Sequence, residues 1–181
     1  HITDAAQYAA ENYVLDFHAK QLGIGFSDDF MVPLTMALPF IDIDDKQMRL
    51  AVNIRAPKGT SPDQLQAEVK SKIDAWINQS NITMSYTHSQ RAAMFRNPEG
   101  KWINALLDIA TENLNLPRQF ESSGGATSIH GLPNGVQFGL SRPDQKYTGH
   151  TANEFKRVEQ FMLDLRIVTE MIVRLGSMKE L

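Results

Sequence analysis

The chain contains no cysteine, which excludes disulfides and thiolate metal sites. It also lacks a long apolar run. Its hydrophobic stretches are short and interrupted, so no segment reads as a membrane span, and the N-terminus has no charged region followed by an apolar one as a secretory leader would. The expected compartment is the cytoplasm. Basic charge is concentrated nowhere: 18 Lys and Arg against 21 Asp and Glu leave a formal net charge of -3, and a nucleic-acid partner has no electrostatic footprint. Missing as well are a His-Glu-x-x-His motif, a Ser or Cys nucleophile motif, a phosphate loop of the Walker type, an adjacent Glu-Glu pair, internal repeats and low-complexity tracts.

What is present is a globular composition. With 181 residues and 42% hydrophobic content, the chain can bury one good core or two small ones. Residues 3 to 20 predict an amphipathic helix with Ala6, Ala9, Ala10, Tyr13, Val14 and Phe17 on one side, ending before Gly23 and Gly25. From Leu34 the period becomes two, with Leu34, Met36, Leu38 and Phe40 on one face. After a turn at Asp44-Asp45-Lys46 it resumes with Met48, Leu50, Val52 and Ile54, so a β-hairpin is expected. Its second strand turns Asn53 and Arg55 together to the opposite face. Ser61-Pro62-Asp63-Gln64 combines an N-cap, a proline at the first helical position and a capping-box glutamine, and opens a helix with Leu65, Val69, Ile73, Trp76 and Ile77 on one stripe. A third strand is expected through Ile82, Met84 and Tyr86. Together these elements make a two-layer α+β unit over residues 1–95.

The second half, 96–181, reads differently. A helix from Asn97-Pro98 runs through Trp102, Leu106, Ile109 and Ala110 toward Asn115 and Pro117. Short strands are expected around Phe120 and over Val136-Gln137-Phe138-Gly139-Leu140, with a glycine loop between them. A last helix is expected to open on a Thr151 to Glu154 capping box and run to Gly176, burying Phe155, Val158, Met162, Leu165, Val168 and Ile172. This pattern suits the edge of a larger α/β sheet.

Few residues could carry chemistry. Gly124-Gly125 lets the backbone approach a ligand and point N–H groups at an anion, with the Thr127 and Ser128 hydroxyls as further donors; an ordinary turn explains the same glycines. His150 could ligate zinc through a neutral imidazole, or simply pack at a helix entry. His130 is equally open. Arg55 could fork onto a substrate carboxylate, or merely lie on a solvated face. Asp28-Asp29 and Asp44-Asp45 read as solvated turn acids.

Taken in order, Leu22-Gly23-Ile24, Ser27-Asp28-Asp29-Phe30-Met31, Leu34-Thr35-Met36, Val52-Asn53-Ile54-Arg55-Ala56-Pro57, the Gly-Gly-x-Thr loop running into Leu132-Pro133-Asn134, and Gly149-His150-Thr151-Ala152-Asn153-Glu154-Phe155 carry a resemblance. The chain resembles the di-zinc metallopeptidase family of bacterial Xaa-His dipeptidases, carnosinases, aminoacylases and succinyl-diaminopimelate desuccinylases, the dipeptidase branch most closely. The resemblance covers nearly the whole chain. It implies that 1–95 is a lid domain of α+β type lacking its first strand, and that 96–181 is the C-terminal segment of an α/β catalytic domain. By the same resemblance the metal ligand is His150, and Arg55 holds the substrate's C-terminal carboxylate. Gly125, Ala126 and Thr127 contribute backbone and hydroxyl contacts. His130 stands where many relatives carry arginine, so a neutral or switchable donor replaces a permanent cation there.

The resemblance further implies two zinc ions in a full-length enzyme, which hydrolyses dipeptides through a metal-bridged hydroxide. The remaining ligands and the general base would lie in an N-terminal catalytic segment outside these residues, so no catalytic residue is assigned. His1 is not credited with the family's lid-histidine role. The chain by itself is expected to be inactive and to bind zinc weakly, and homodimerisation through the lid is expected in this family. The competing expectation is a non-catalytic α+β binding or dimerisation module.

Overall fold

The first helix, α1, spans Ile2–Asn12 and buries Tyr8 and Ala9. It ends eight residues before the periodicity predicts. Its last helical bond runs from the Tyr13 amide to the Ala9 carbonyl at 3.0 Å, after which the backbone turns left-handed at Leu15 (φ 60°) and Ala19 (φ 51°). The buried Asp16 accepts the Gln21 amide at 2.7 Å, and the Ala19 carbonyl accepts those of Ile24 and Gly25, each at 3.1 Å. A side chain at Gly25 would collide with the His18 carbonyl. Local capture of backbone amides thus competes with the helix and wins. As a result Val14 and Phe17, expected inside, are exposed, whereas Tyr13, Leu22 and Ile24 are buried. The computed structural model describes residues 2–138, 142 and 145–180.

Strands β1 (Thr35–Ile43) and β2 (Met48–Arg55) form an antiparallel hairpin with Thr35 opposite Arg55 and Ile43 opposite Met48. The Asp44 carboxylate closes the turn by accepting the amides of Lys46 and Gln47 at 2.8 and 2.9 Å. In β2 the even positions from Met48 to Ile54 face inward and Arg49, Ala51, Asn53 and Arg55 are exposed, as the alternation predicts. β1 differs. Its register slips between Ala37 and Phe40, where Pro39 has no amide to give the ladder, and a one-residue slip changes the face of everything beyond it. Leu34 and Met36 are buried, and Phe40 is half exposed on the far side of the bulge.

Helix α2 spans Pro62–Gln79; Ser61 caps it, its Oγ accepting the Gln64 amide at 3.1 Å. Leu65, Val69 and Ile73 enter the core, joined at its edge by Trp76 and Ile77. They pack with α1 against the inward face of the hairpin, including Leu38, Leu50, Val52 and Ile54. Trp76 stacks on Tyr8 with centroids 4.0 Å apart, and the Tyr8 and Tyr13 hydroxyls share a hydrogen bond of 3.0 Å. Burial pushes the Tyr13 hydroxyl well above its ordinary pKa. The expected third strand is an extended segment without ladder bonds. Met84 and Tyr86 still pack on the core, and alternate residues from 82 to 88 remain more covered than their neighbours.

Two compact units result. Residues 2–95 associate with Ser122–Leu132, and Arg96–Glu121 with the described part of 133–181. The glycine loop therefore belongs to the first unit, although it lies within the second half of the sequence. In the second unit, α3 (Lys101–Leu114) ends on a left-handed Asn115 and pairs with α4 (Val158–Gly176). Ile109, Leu114 and Ile167 form the centre, packed by Leu116, Phe138, Leu163 and Met171. Arg174 pairs with Glu112, and Asn113 donates to Glu170 at 2.8 Å.

Helix α4 starts seven residues after Thr151. Arg157 occupies the N-cap position, its amide donating to the Gln160 side chain at 3.2 Å. Its buried face also departs from expectation: Asp164 and Ile167 are inside, while Phe155, Val158, Met162, Leu165 and Ile172 are exposed. The helix does carry one apolar stripe, but that stripe is left open, and the side holding Leu163, Ile167 and Met171 packs instead. Neither residue 120 nor residues 136–138 are in a strand, and Gly139 and Leu140 lie outside the described residues. Among the described residues no helix is long and apolar enough to cross a membrane.

Leu65 and Ile109 are fully buried, one in each core, so either Leu65→Ala or Ile109→Ala should lower stability by about 2–5 kcal/mol in urea unfolding. Val158→Ala, on the exposed face, should change it by less than about 0.5 kcal/mol. Burial alone would raise the pKa of Asp16, but bonds from the Gln21, Lys20 and His18 amides outweigh it and hold the carboxyl below its usual range. Its contribution is present above the unfolded pKa and is lost as pH falls through the folded one. Asp16→Asn should therefore be less stable than the parent at pH 7, with the gap closing in unfolding curves taken below pH 3.

Candidate functional site

β2 ends by projecting Asn53 and Arg55 from the exposed face of the hairpin. The Arg55 Nε donates to the Asn53 side-chain oxygen at 3.0 Å, and its Nη1 donates to the Gly124 carbonyl at 2.8 Å. Those two bonds hold the guanidinium at both ends. Nη2 and one Nη1 hydrogen are left over, and no carboxylate pairs with Arg55 among the described residues. A held guanidinium with donors to spare is suited to a carboxylate from outside.

The glycine loop reaches Arg55 because three contacts seat it on the first unit. The Val32 amide donates to the Ser122 hydroxyl oxygen at 3.0 Å. Gly124 lies so close to β1 that a Cβ there would be 3.3 Å from the Thr35 methyl, an approach only glycine makes without displacement. The His130 Nε2–H donates to the Ala92 carbonyl at 3.0 Å. The turn leading into Val32 is itself fixed by Asp28, which accepts the Met31 and Phe30 amides at 2.9 Å each. The Met31 amide bond, with help from Phe30 and Lys58 and against partial burial, keeps the Asp28 carboxyl below its ordinary range. Asp28 is therefore a turn-closing acid more than a solvated one.

Within the loop the donors are arranged differently from the sequence expectation. The Gly125 amide does not face outward as an anion donor: it donates to the Ser123 Oγ at 3.0 Å. Thr127 accepts the Ile129 amide on its Oγ1 at 3.3 Å and the His130 amide on its carbonyl at 3.1 Å. Ala126 is exposed between them. His130, expected as a substrate contact, spends its Nε2 proton on anchoring the loop. The residues that sequence reasoning passed over are Ser122 and Ser123, and their signal was a Ser-Ser pair placed directly before Gly-Gly.

His150 belongs to the second unit. It stands in a tight turn at φ 63°, a left-handed conformation that costs most side chains about 1–2 kcal/mol. The turn is built around the buried Thr148, whose Oγ1 donates to the Phe155 carbonyl at 2.8 Å and accepts the Phe155 amide at 3.2 Å. The Thr151 hydroxyl donates to the Thr148 carbonyl at 2.7 Å, and the His150 amide donates to the Glu154 carboxylate at 3.2 Å. The Thr-x-x-Glu spacing thus serves the turn that carries His150 and not a helix start. Both imidazole nitrogens lack hydrogen-bond partners among the described residues, so the ring is available as one ligand. One ligand does not make a zinc site. Among the described residues no three His, Asp or Glu side chains gather to hold a metal ion.

The structure brings Arg55, Gly125, Ala126, Thr127 and His130 into one unit and carries His150 in the other. A groove lined by Asp4, Tyr8, Trp76 and Asn81 lies on α1 and α2 and includes none of them.

In sequence the chain is similar to a dipeptidase. That relative is the Beta-Ala-Xaa dipeptidase of Lactobacillus delbrueckii subsp. lactis, 27% identical over 167 residues, which is 92% of this chain. The chain spans 34% of the relative's own length. No protein-family model matches the chain. The resemblance to dipeptidases carried by the ordered motifs is thus borne out by a curated homologue.

Strain at His150 is testable apart from any activity. His150→Gly should raise stability by up to about 1 kcal/mol, because relief of the left-handed cost exceeds the added backbone entropy. His150→Ala should give no such gain in thermal or urea unfolding.

Proposed function

We propose that this chain is part of a zinc-dependent dipeptidase, supplying the substrate's carboxylate anchor and one metal ligand. The carrying observation is the doubly held Arg55, with its spare donors turned outward beside the glycine loop. The dipeptidase homologue supports the substrate class, since a dipeptide always ends in a carboxylate close to the scissile bond. Arg55 would bind that carboxylate through two parallel N–H bonds and set the distance from the chain end to the reacting carbonyl. Asn53 and the Gly124 carbonyl keep the guanidinium from rotating. The Thr127 hydroxyl, whose oxygen already accepts the Ile129 amide, retains a proton for the substrate, and Ala126 leaves the loop uncovered beside it. His130 holds the loop in place through its Nε2 bond to the Ala92 carbonyl, which leaves its Nδ1 as an acceptor beside the loop.

On this proposal, residues 2–95 serve as the lid and the second unit as the end of the catalytic domain, in a cytoplasmic enzyme. Zinc would be held by His150 together with donors from another segment of the full-length protein. Among the described residues the donors fall short of a metal site, and on this proposal the chain alone would bind zinc weakly and be inactive. The unpaired extended segment around Met84 also suits a homodimer formed through the sheet of the first unit. Light scattering that finds a strict monomer would remove that part of the proposal.

In the full-length protein, hydrolysis of β-alanyl or other dipeptides should be abolished by a chelator and restored by zinc. Arg55→Ala should raise KM for dipeptides by roughly 10–100-fold, as expected for losing a hydrogen-bonded charge pair. A full-length protein without chelator-sensitive peptidase activity would refute the proposal.

A further inference from the structure

Gly125 separates two donors. A Cβ placed on it would lie 3.1 Å from the Ser123 Oγ and 3.9 Å from the Arg55 Nη1. The hydroxyl and the guanidinium therefore flank one small space, which the absence of a side chain at Gly125 keeps open. Ser123 is exposed, and its oxygen accepts the Gly125 amide. That bond uses a lone pair and leaves the hydroxyl proton, which is donated to no acceptor among the described residues. A hydroxyl that accepts from the backbone can donate only away from that bond.

From this geometry we infer that Ser123 is a further substrate-binding residue, a neutral donor completing the carboxylate pocket beside Arg55. The inference rests on Arg55 as the carboxylate anchor. Arg55 supplies the charge, and Ser123 supplies a directional bond to one of the carboxylate oxygens. Gly125 contributes by having no side chain. The pocket thereby distinguishes a free C-terminal carboxylate, whose two oxygens accept from Arg55 and Ser123 at once, from an amide, which has a single acceptor oxygen for the two donors and no charge for Arg55.

The test is calorimetric binding, in the full-length protein, of a non-hydrolysable dipeptide analogue and of the same analogue with its C-terminus amidated. Ser123→Ala should weaken binding of the carboxylate form about tenfold, as for one hydrogen bond to a charged group. Binding of the amide should change by less than about twofold. Ser123→Thr, which keeps the hydroxyl, should restore the parent's preference, and Gly125→Ala, which fills the space, should lose it. Equal weakening of both analogues by Ser123→Ala, or no weakening of either, overturns the assignment of Ser123. If Arg55→Ala also leaves the preference for the carboxylate intact, the anchor itself is wrong. If Arg55→Ala removes that preference while Ser123→Ala does not, only Ser123 falls.

Discussion

The bond from the Arg55 guanidinium to the Gly124 carbonyl is the constraint on which the site's organisation depends. It joins residues 69 positions apart and draws a loop from the second half of the sequence onto the hairpin of the first. Without it, Arg55 would be an exposed arginine at the end of a strand, and the glycines would be a turn. With it, the carbonyl dipole faces the cation and fixes one end of the side chain, while Asn53, two residues earlier on the same strand face, fixes the other. A long side chain loses rotamer entropy when it binds a ligand. Here much of that loss has already occurred in the folded protein.

The supporting contacts form a chain of local devices. Asp28 closes the turn before Val32, the Val32 amide donates to the Ser122 hydroxyl oxygen, and Gly124 permits the close approach to Thr35. His130 ties the far side of the loop to Ala92. Each bond is worth little alone, since a typical net contribution is about 1 kcal/mol. Their value is positional. They turn a flexible sequence of small residues into a surface whose donors have defined directions.

Much of the first unit was legible because its patterns are local. The alternation of β2, the Ser61 cap and the α2 stripe each depend on side chains close in sequence, and the Asn-x-Arg pair follows from strand geometry alone. The end of α1 was not legible, because Asp16 acts on amides several residues away and stabilises left-handed turns at Leu15 and Ala19 that propensity disfavours. The bulge at Pro39 hid the exposure of Phe40. At Thr151 a capping-box spacing was real but served a turn, with the buried Thr148 as its centre. Of the site, the candidate residues could be named from sequence order, whereas the inward turn of the Gly125 amide and the consequent role of Ser123 required the loop's conformation. His150 was legible as a residue but not as a strained one.

Helix α4 satisfies only one of its apolar faces. Ile167, Leu163 and Met171 pack toward α3, while Val158, Phe161, Met162 and Leu165 recur at helical spacing on a surface open to water. Contiguous apolar faces of this kind are uncommon on proteins that work as free monomers. In dilute solution such a ridge would recruit whatever greasy surface is nearest, whether another copy, a chaperone or detergent. What shields α4 therefore bears on how this stretch of chain behaves in solution, alongside its two cores.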